Sequence, residues 1–360
     1  MACVALLVSC QTPSKPLGDN ASTAVVKPKN IIFMVGDGMG IAQITAGMLA
    51  NGNKLALEKA KVVGMIKTQS GDNLITDSAA GATAFSTGKK SYNRAIGVDM
   101  DTVAHETILE AAAKEELATG IVVTASLTHA TPACYYAHQP NRYMMEEIAL
   151  DFSRNPVDFF IGGGRKYFAD RKDKKNLIDS LTARGFKLVN NLELTKGDES
   201  KVGFFTADEE PESILRGREA YLPKGVKAAV KRLSKNENGF FLLVEGSQID
   251  WGGHQKDSDY IIDEMLEFDD AIGEALAFAE QDGNTLVVIT ADHETGGYAI
   301  TGGTLDGKIL ETAFVNDKHS AEMVPVFAFG PGAEAFSGIY ENTSIYDKMM
   351  DALQLKKPAI

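Results

Sequence analysis

Several residues in this chain have types and spacings that could do chemistry as a group. Apolar runs at 30–35, 120–125, 239–244 and 285–290 are each followed, within a few residues, by an acid, a histidine or both. Asp37 follows the first run, and His129 and Thr131 follow the second. Glu245, Asp250 and His254 follow the third, Asp292 and His293 the fourth, and His319 stands shortly before a further run at 324–329. Carboxylates and imidazoles without thiolates suit zinc, magnesium or manganese rather than a structural thiolate site. Asp250 and His254 are four apart, so one helical turn faces them the same way. Asp292 and His293 are adjacent, which allows both to turn inward only where a strand's pleat has ended. These carboxylates are too many for one ion, and two or three cations are the natural way to neutralise them.

A second stretch, ITDSAAGATAFSTG at 75–88, sets hydroxyls and small residues beside a single carboxylate, Asp77. Alone it reads as a capped, Ala-rich helix start. A serine at a helix N-terminus meets backbone N–H groups suited to an anion. The small residues behind Ser78 would let that helix sit close to the acids and histidines.

The elements that must position these groups are legible in outline. The runs at 30–35, 120–125, 157–161, 239–244, 285–290 and 324–329 are rich in Val, Ile and Phe without alternation, as in strands covered on both faces. Helical patterns lie between them, clearest over 258–281, where Ile261, Ile262, Met265, Leu266, Ile272, Leu276 and Phe278 recur at helical spacing. Such alternation predicts an α/β fold with a largely parallel sheet. Ligands then bind outside the carboxyl ends of the strands, where the acids and histidines fall.

The chain has 360 residues, with 36 basic against 49 acidic ones and a net charge of −13. That balance argues against a nucleic-acid backbone or an anionic membrane surface as the main partner. Residues 1–10 read as a signal or lipoprotein leader, since Leu7-Val8-Ser9-Cys10 resembles a bacterial lipobox, although no Lys or Arg precedes the apolar run. The expectation is an exported protein, periplasmic or anchored to a membrane through lipidated Cys10. Residues 11–29 read as a linker and 30–360 as a single catalytic domain. With the leader removed and Cys10 lipidated, Cys134 has no disulfide partner.

The run ITDSAAGAT resembles the signature of the alkaline phosphatase family, in which the serine after the aspartate, here Ser78, is the nucleophile. VGDGMG, THATPA, HQPNR with Arg142, EGSQIDWGGH, TADHETGG and His319-Ser320 resemble that family's motifs, in its order. The compact length and the TADHETGG form look most like the cold-active bacterial members. The resemblance implies a three-layer α/β/α sandwich with a large, mostly parallel central sheet. It implies hydrolysis of phosphate monoesters at alkaline pH, through a phosphoserine, with two zinc ions and one magnesium ion. Asp250, His254 and His319 would hold one zinc; Asp37, Asp292 and His293 the other. Asp37 would bridge to magnesium, completed by Thr131 and Glu245, and Arg142 would clamp two phosphate oxygens. A homodimer is implied as well.

Two positions depart from the enterobacterial pattern. His129 stands where that type has an aspartate near the third metal, and Trp251 where it has a lysine reaching phosphate through water. Between His293 and His319 only 25 residues intervene, too few for the crown subdomain of larger members, which implies an open pocket. Other readings are a superfamily phosphodiesterase or sulfatase, or an exported zinc- or phosphate-binding lipoprotein without turnover. No formylglycine signature is evident, and diesterases commonly carry threonine at the nucleophile position. Gly162 to Gly164 read as a turn, His105 as a solvated helix residue, and His138 as packed beside the Arg142 loop.

Overall fold

The computed structural model describes residues 27–192 and 201–356; the leader, Cys10 and most of the linker lie outside them. In chain order the strands are β1 (Asn30–Gly36), β2 (Val62–Lys67), β3 (Ala118–Ser126), β4 (Phe159–Gly163), β5 (Phe186–Val189), β6 (Lys201–Phe205) and β7 (Phe240–Gly246). There follow β8 (Thr285–Thr290), β9 (Glu294–Thr295), β10 (Tyr298–Gly303), β11 (Leu310–Phe314), β12 (His319–Ser320), β13 (Val324–Phe329) and β14 (Gly338–Glu341). Among the described residues, ten of these form one sheet in the order β14-β2-β13-β8-β1-β7-β3-β4-β6-β5. All its pairings are parallel except the two made by β13.

Of the strands read as doubly covered, all but β13 are buried throughout; β13 leaves Phe327 and Phe329 partly exposed. Every residue of β1, β3, β7 and β8 is buried, each large apolar side chain contributing about 1.5–3 kcal/mol by leaving water. One covering layer holds helices Leu222–Leu233 and Ser258–Asp282, packed on each other and on β3, β7 and β8. The other holds Ser78–Thr87, Ile108–Lys114, Ala130–Ala133 and Ser344–Leu353. The long helix begins at the cap Asp257, which accepts the Tyr260 N–H at 3.1 Å, and ends at left-handed Gly283. On it, Glu264 and Glu267 grip the buried Arg218 guanidinium and so tie the 206–221 segment to the sheet's cover.

Strand order explains why the candidate residues meet. β8, β1, β7 and β3 are neighbours, and Val35 lies opposite Glu245 on one side and Thr290 on the other. The loops after these strands therefore leave the sheet at one level. Antiparallel β13 starts at the edge where its neighbour β8 ends, which carries the preceding His319 to the same edge. β12 pairs with β9, setting His319 opposite Thr295. The 25 residues between His293 and His319 include the two-stranded hairpin of β10 and β11.

Two expectations need correcting. Gly162 and Gly163 close strand β4, and only Gly164, with φ +91°, turns the chain into the helix Arg165–Ala169. His105 is not helical: the cap Thr107 and its partner Glu110 start the helix at Ile108, and His105 lies before it, half-buried with Nε2 2.7 Å from Asp99. His138 does sit in the chain leading to Arg142. Its Nδ1 faces the Gly97 carbonyl at 2.8 Å and its Nε2 faces Glu110 at 3.1 Å, so both nitrogens see acceptors, the arrangement of an imidazolium. Burial opposes the charge, but Glu110 outweighs it and holds the His138 pKa above its ordinary value. A raised folded-state pKa contributes stability fully present below the unfolded value and lost as pH rises through the folded one. His138→Gln is expected to cost about 1.5–3 kcal/mol at about pH 6 and clearly less at about pH 9. Urea unfolding at the two pH values measures the difference.

Candidate active site

Each candidate side chain sits just past a central strand. Asp37 follows β1, and His129 caps the short helix Ala130–Ala133 that carries Thr131 after β3. Glu245 is the penultimate residue of β7, and Asp250 and His254 share the helix Ile249–Gln255 that follows. Asp292 and His293 follow β8 after its pleat has ended. Gly38 lets the first of these loops close: a Cβ there would meet the Asp250 Cα at 2.7 Å, and its φ of +71° is in glycine's region.

Main-chain and hydroxyl partners hold the histidines in defined tautomers. His254 Nδ1 is 2.7 Å from the Asp317 carbonyl and His319 Nδ1 is 2.8 Å from the Thr76 carbonyl. Each Nδ1 must therefore donate, which turns Nε2 inward toward Asp250. Against the opposing effect of burial that carboxylate raises both pKa values, His254 to about 9, so each Nε2 is a place for a proton or a metal ion. Those two Nε2 atoms face each other at 3.1 Å, with Asp250 oxygens 3.3 Å and 3.4 Å away. The same logic extends inward. Thr295 donates its hydroxyl proton to Asp250, so it can only accept from His293 Nδ1, 3.2 Å away. His293 Nε2 is thereby aimed at Asp292 (3.2 Å), Ser78 Oγ (3.4 Å) and Asp37 (3.5 Å). Imidazole nitrogens and carboxylates at such distances repel unless a cation, either a proton or a metal ion, lies between them, and burial holds His293 unprotonated.

The carboxylates point the same way. Both oxygens of Asp37 and of Glu245, and Oδ2 of Asp292, are buried and accept no hydrogen bond; His129 Nδ1 and Thr131 Oγ1 are also unpaired. Thr131 and Ser247 stand near enough to Glu245 to pull its pKa down, yet burial still raises it to about 8. Burial, and then the charges of Asp292, Asp250 and Glu245, push Asp37 well above the carboxylate range. Burial also lifts Asp292 to about 6 and lowers His129 to about 3. Unpaired buried carboxylates are costly unless cations meet them, so the residues present fit metal ions.

Three groups can each offer ligand atoms within 4.8 Å of one another: Asp250, His254 and His319; Asp37, Asp250 and His293; and Asp37, His129 and Glu245. The first is the expected set. In the second Asp250 appears, while Asp292 reaches the same His293 nitrogen. The third brings in His129, with the Thr131 hydroxyl close to Glu245.

Ser78 opens helix Ser78–Thr87, whose ten residues are all buried. A Cβ on Gly81 would meet the Asp292 Cβ at 3.1 Å, so the small residues do let the helix lie against the β8 loop. Asp77 is the helix cap, accepting the Ala80 N–H at 3.0 Å, and it also holds the Arg142 guanidinium at 3.2 Å. The other arm of Arg142 reaches His129 Nε2 at 3.2 Å. Ser78, His129, Arg142, Asp250, Trp251, His254 and His319 line one cleft of about 720 Å³, and Trp251 meets the His129 ring edge-on. Cys134 is free and buried behind the helix, its thiol bonded to the Ala79 carbonyl.

Sequence reading passed over Asp77 as a site residue, along with Thr295, and did not single out Arg94 and Tyr143, which line the same cleft. Asp77 carried a signal, as the cap immediately before Ser78. The others carried none, because their roles come from main-chain geometry or from partners distant in sequence.

A family model for alkaline phosphatase matches residues 28–313. Alkaline phosphatase 3 of Bacillus subtilis is 34% identical, the alignment covering 91% of this chain and 89% of that protein. The Escherichia coli alkaline phosphatase is 32% identical over 91% of this chain and 86% of its own. Among solved structures, the alkaline phosphatase of the Antarctic bacterium TAB5 superposes with a TM-score of 0.88 at 43% identity, covering 92% of this chain and 99% of that one. A histidine-to-glutamate variant of the TAB5 enzyme holds magnesium in its M3 site. With the ten-stranded sheet and the ligand clusters at its edge, these matches mean that the chain belongs to the alkaline phosphatase family, metal-binding hydrolases of phosphate monoesters.

Proposed function

We propose that this protein hydrolyses phosphate monoesters at alkaline pH in two steps, through a phosphoserine on Ser78. The observation that carries the reading is the position of Ser78: first residue of a buried helix, its Oγ 3.4 Å from His293 Nε2, in the cleft lined by Arg142. Asp250, His254 and His319 would hold one zinc, and Asp37, Asp292 and His293 a second. Asp37, Thr131 and Glu245 would hold magnesium, with His129 beside them; a TAB5 variant with glutamate in place of a histidine holds magnesium in its M3 site, which supports a third metal site. When bound, these ions supply the positive charge that favours the Ser78 alkoxide, the departing alcohol oxygen and hydroxide over water.

The chain's own residues do the rest. Arg142 binds two oxygens of the phosphoryl group as a planar fork that keeps its charge at alkaline pH. Asp77 orients that fork while capping the helix. In the first step Ser78 Oγ forms a bond to phosphorus as the ester P–O bond breaks and the alcohol leaves. In the second, water attacks the phosphoserine, the Oγ–P bond breaks, and Ser78 regains a proton as phosphate departs. Export through the 1–10 leader, anchoring through Cys10 and a homodimer belong to the same proposal and rest on the sequence.

The test is turnover by the zinc- and magnesium-loaded protein of an aryl phosphate, a matched diester and a matched aryl sulfate. The monoester is expected to lead in kcat/KM by about a thousandfold or more, the scale on which a site built for particular polar groups separates substrates. A faster diester or sulfate would replace this reading with its superfamily sibling. Tight phosphate binding with no turnover of any ester would leave a binding protein.

A further inference from the structure

We propose that Arg94 and Tyr143 form a subsite for the alcohol half of the ester, selecting monoesters whose leaving group carries a second anionic group, such as a carboxylate or another phosphate. The inference deepens the monoesterase reading above and rests on it. Arg94 has φ +78°, a left-handed backbone that is unfavourable for a side chain of this size. It is held there from both sides. Its N–H donates to both oxygens of Asp77, at 3.1 Å and 3.0 Å, and its carbonyl accepts the Arg142 N–H at 2.7 Å. One strained residue thus ties the aspartate before Ser78 to the main chain of the phosphate-binding arginine. Strain over-determined in this way is concentrated at working sites.

The side chain lines the cleft that a leaving group would enter. Arg94 lines the same cleft as Ser78 and Arg142, and its guanidinium carbon lies 5.8 Å from the centroid of the Tyr143 ring, which is 66% exposed. Two arginines therefore contact Asp77, Arg142 through its guanidinium and Arg94 through its main-chain N–H. Arg142 is mostly buried and ion-paired to it. Arg94 is exposed, and among the described residues its guanidinium makes no ion pair with a carboxylate. A guanidinium within cation–π range of a ring and with open donors matches carboxylate or phosphate bidentately. On a chain with net charge −13, such a group also offsets local repulsion of a doubly anionic substrate.

The test compares kcat/KM for phenyl phosphate and carboxyphenyl phosphate in the metal-loaded protein, reading the ratio between them. Arg94→Asn is expected to lower the carboxyphenyl-to-phenyl ratio about two- to fivefold, the reach of a partly exposed charge pair. Arg94→Lys is expected to keep most of it. Asn53, Lys174 and Lys256 already adopt positive φ in this chain, so neither variant adds a backbone conflict. Tyr143→Ala, on an exposed ring, is expected to lower the ratio by a smaller factor. If Arg94→Asn slows both substrates equally, the subsite is wrong and Arg94 only positions its neighbours. If the wild-type protein turns over neither substrate, the monoesterase reading falls, and the subsite with it.

Discussion

Replacing Ser78 with alanine is expected to cut kcat/KM for an aryl phosphate by about ten-thousandfold or more, the scale on which removing a nucleophile from a cooperating set is felt. The fold should survive intact. Ser78 is buried at the start of a helix, alanine is the better helix former, and the hydroxyl's approach to His293 is a long one at 3.4 Å. The melting temperature is therefore expected to move by only about a few degrees. Loss of turnover without loss of fold separates a nucleophile from a structural serine. Retention of more than about a tenth of wild-type kcat/KM would show that Ser78 binds without reacting.

Removing the metals is the second large effect. A strong chelator is expected to lower turnover by about a thousandfold or more, with recovery on adding zinc and magnesium but not on adding either with Ser78→Ala. Unlike the serine variant, chelation should also destabilise. The unpaired oxygens of Asp37, Glu245 and Asp292 then repel one another, with only partial offset from Arg142. Each ion that binds the folded state at about a hundred times its Kd contributes about 2.7 kcal/mol, so calorimetry should show a fall of about 4 °C per ion removed. Full activity in protein shown to be metal-free by elemental analysis would remove the basis of the site.

Much of the site was legible because its residues lie immediately after apolar runs. The types at Asp37, His129, Glu245, Asp250, His254, Asp292 and His293 pointed to metals before any geometry was known. Their convergence was not legible, since nothing in the runs orders β8, β1, β7 and β3 side by side. Nor did the run at 324–329 disclose that β13 is reversed, which is what brings His319 to the edge. The carbonyls of Asp317 and Thr76 that fix two imidazoles are main-chain atoms and leave no mark on residue type. Short strands escaped for a different reason. β2 and β6 are interrupted by Gly64 and Gly203, and β5 carries Lys187, so their apolar runs are too brief to stand out. His105 was misplaced because the capping pair Thr107 and Glu110 sets the helix start beyond it.

The central claim, that phosphate passes through Ser78, is tested most directly by the stereochemistry at phosphorus. The metal-loaded protein would be given an aryl phosphate made chiral with oxygen isotopes, and an alcohol to accept the phosphoryl group. In-line attack by Ser78, followed by in-line attack of the acceptor, inverts phosphorus twice, so overall retention is predicted. Overall inversion would mean a single direct displacement, and no phosphoserine on Ser78.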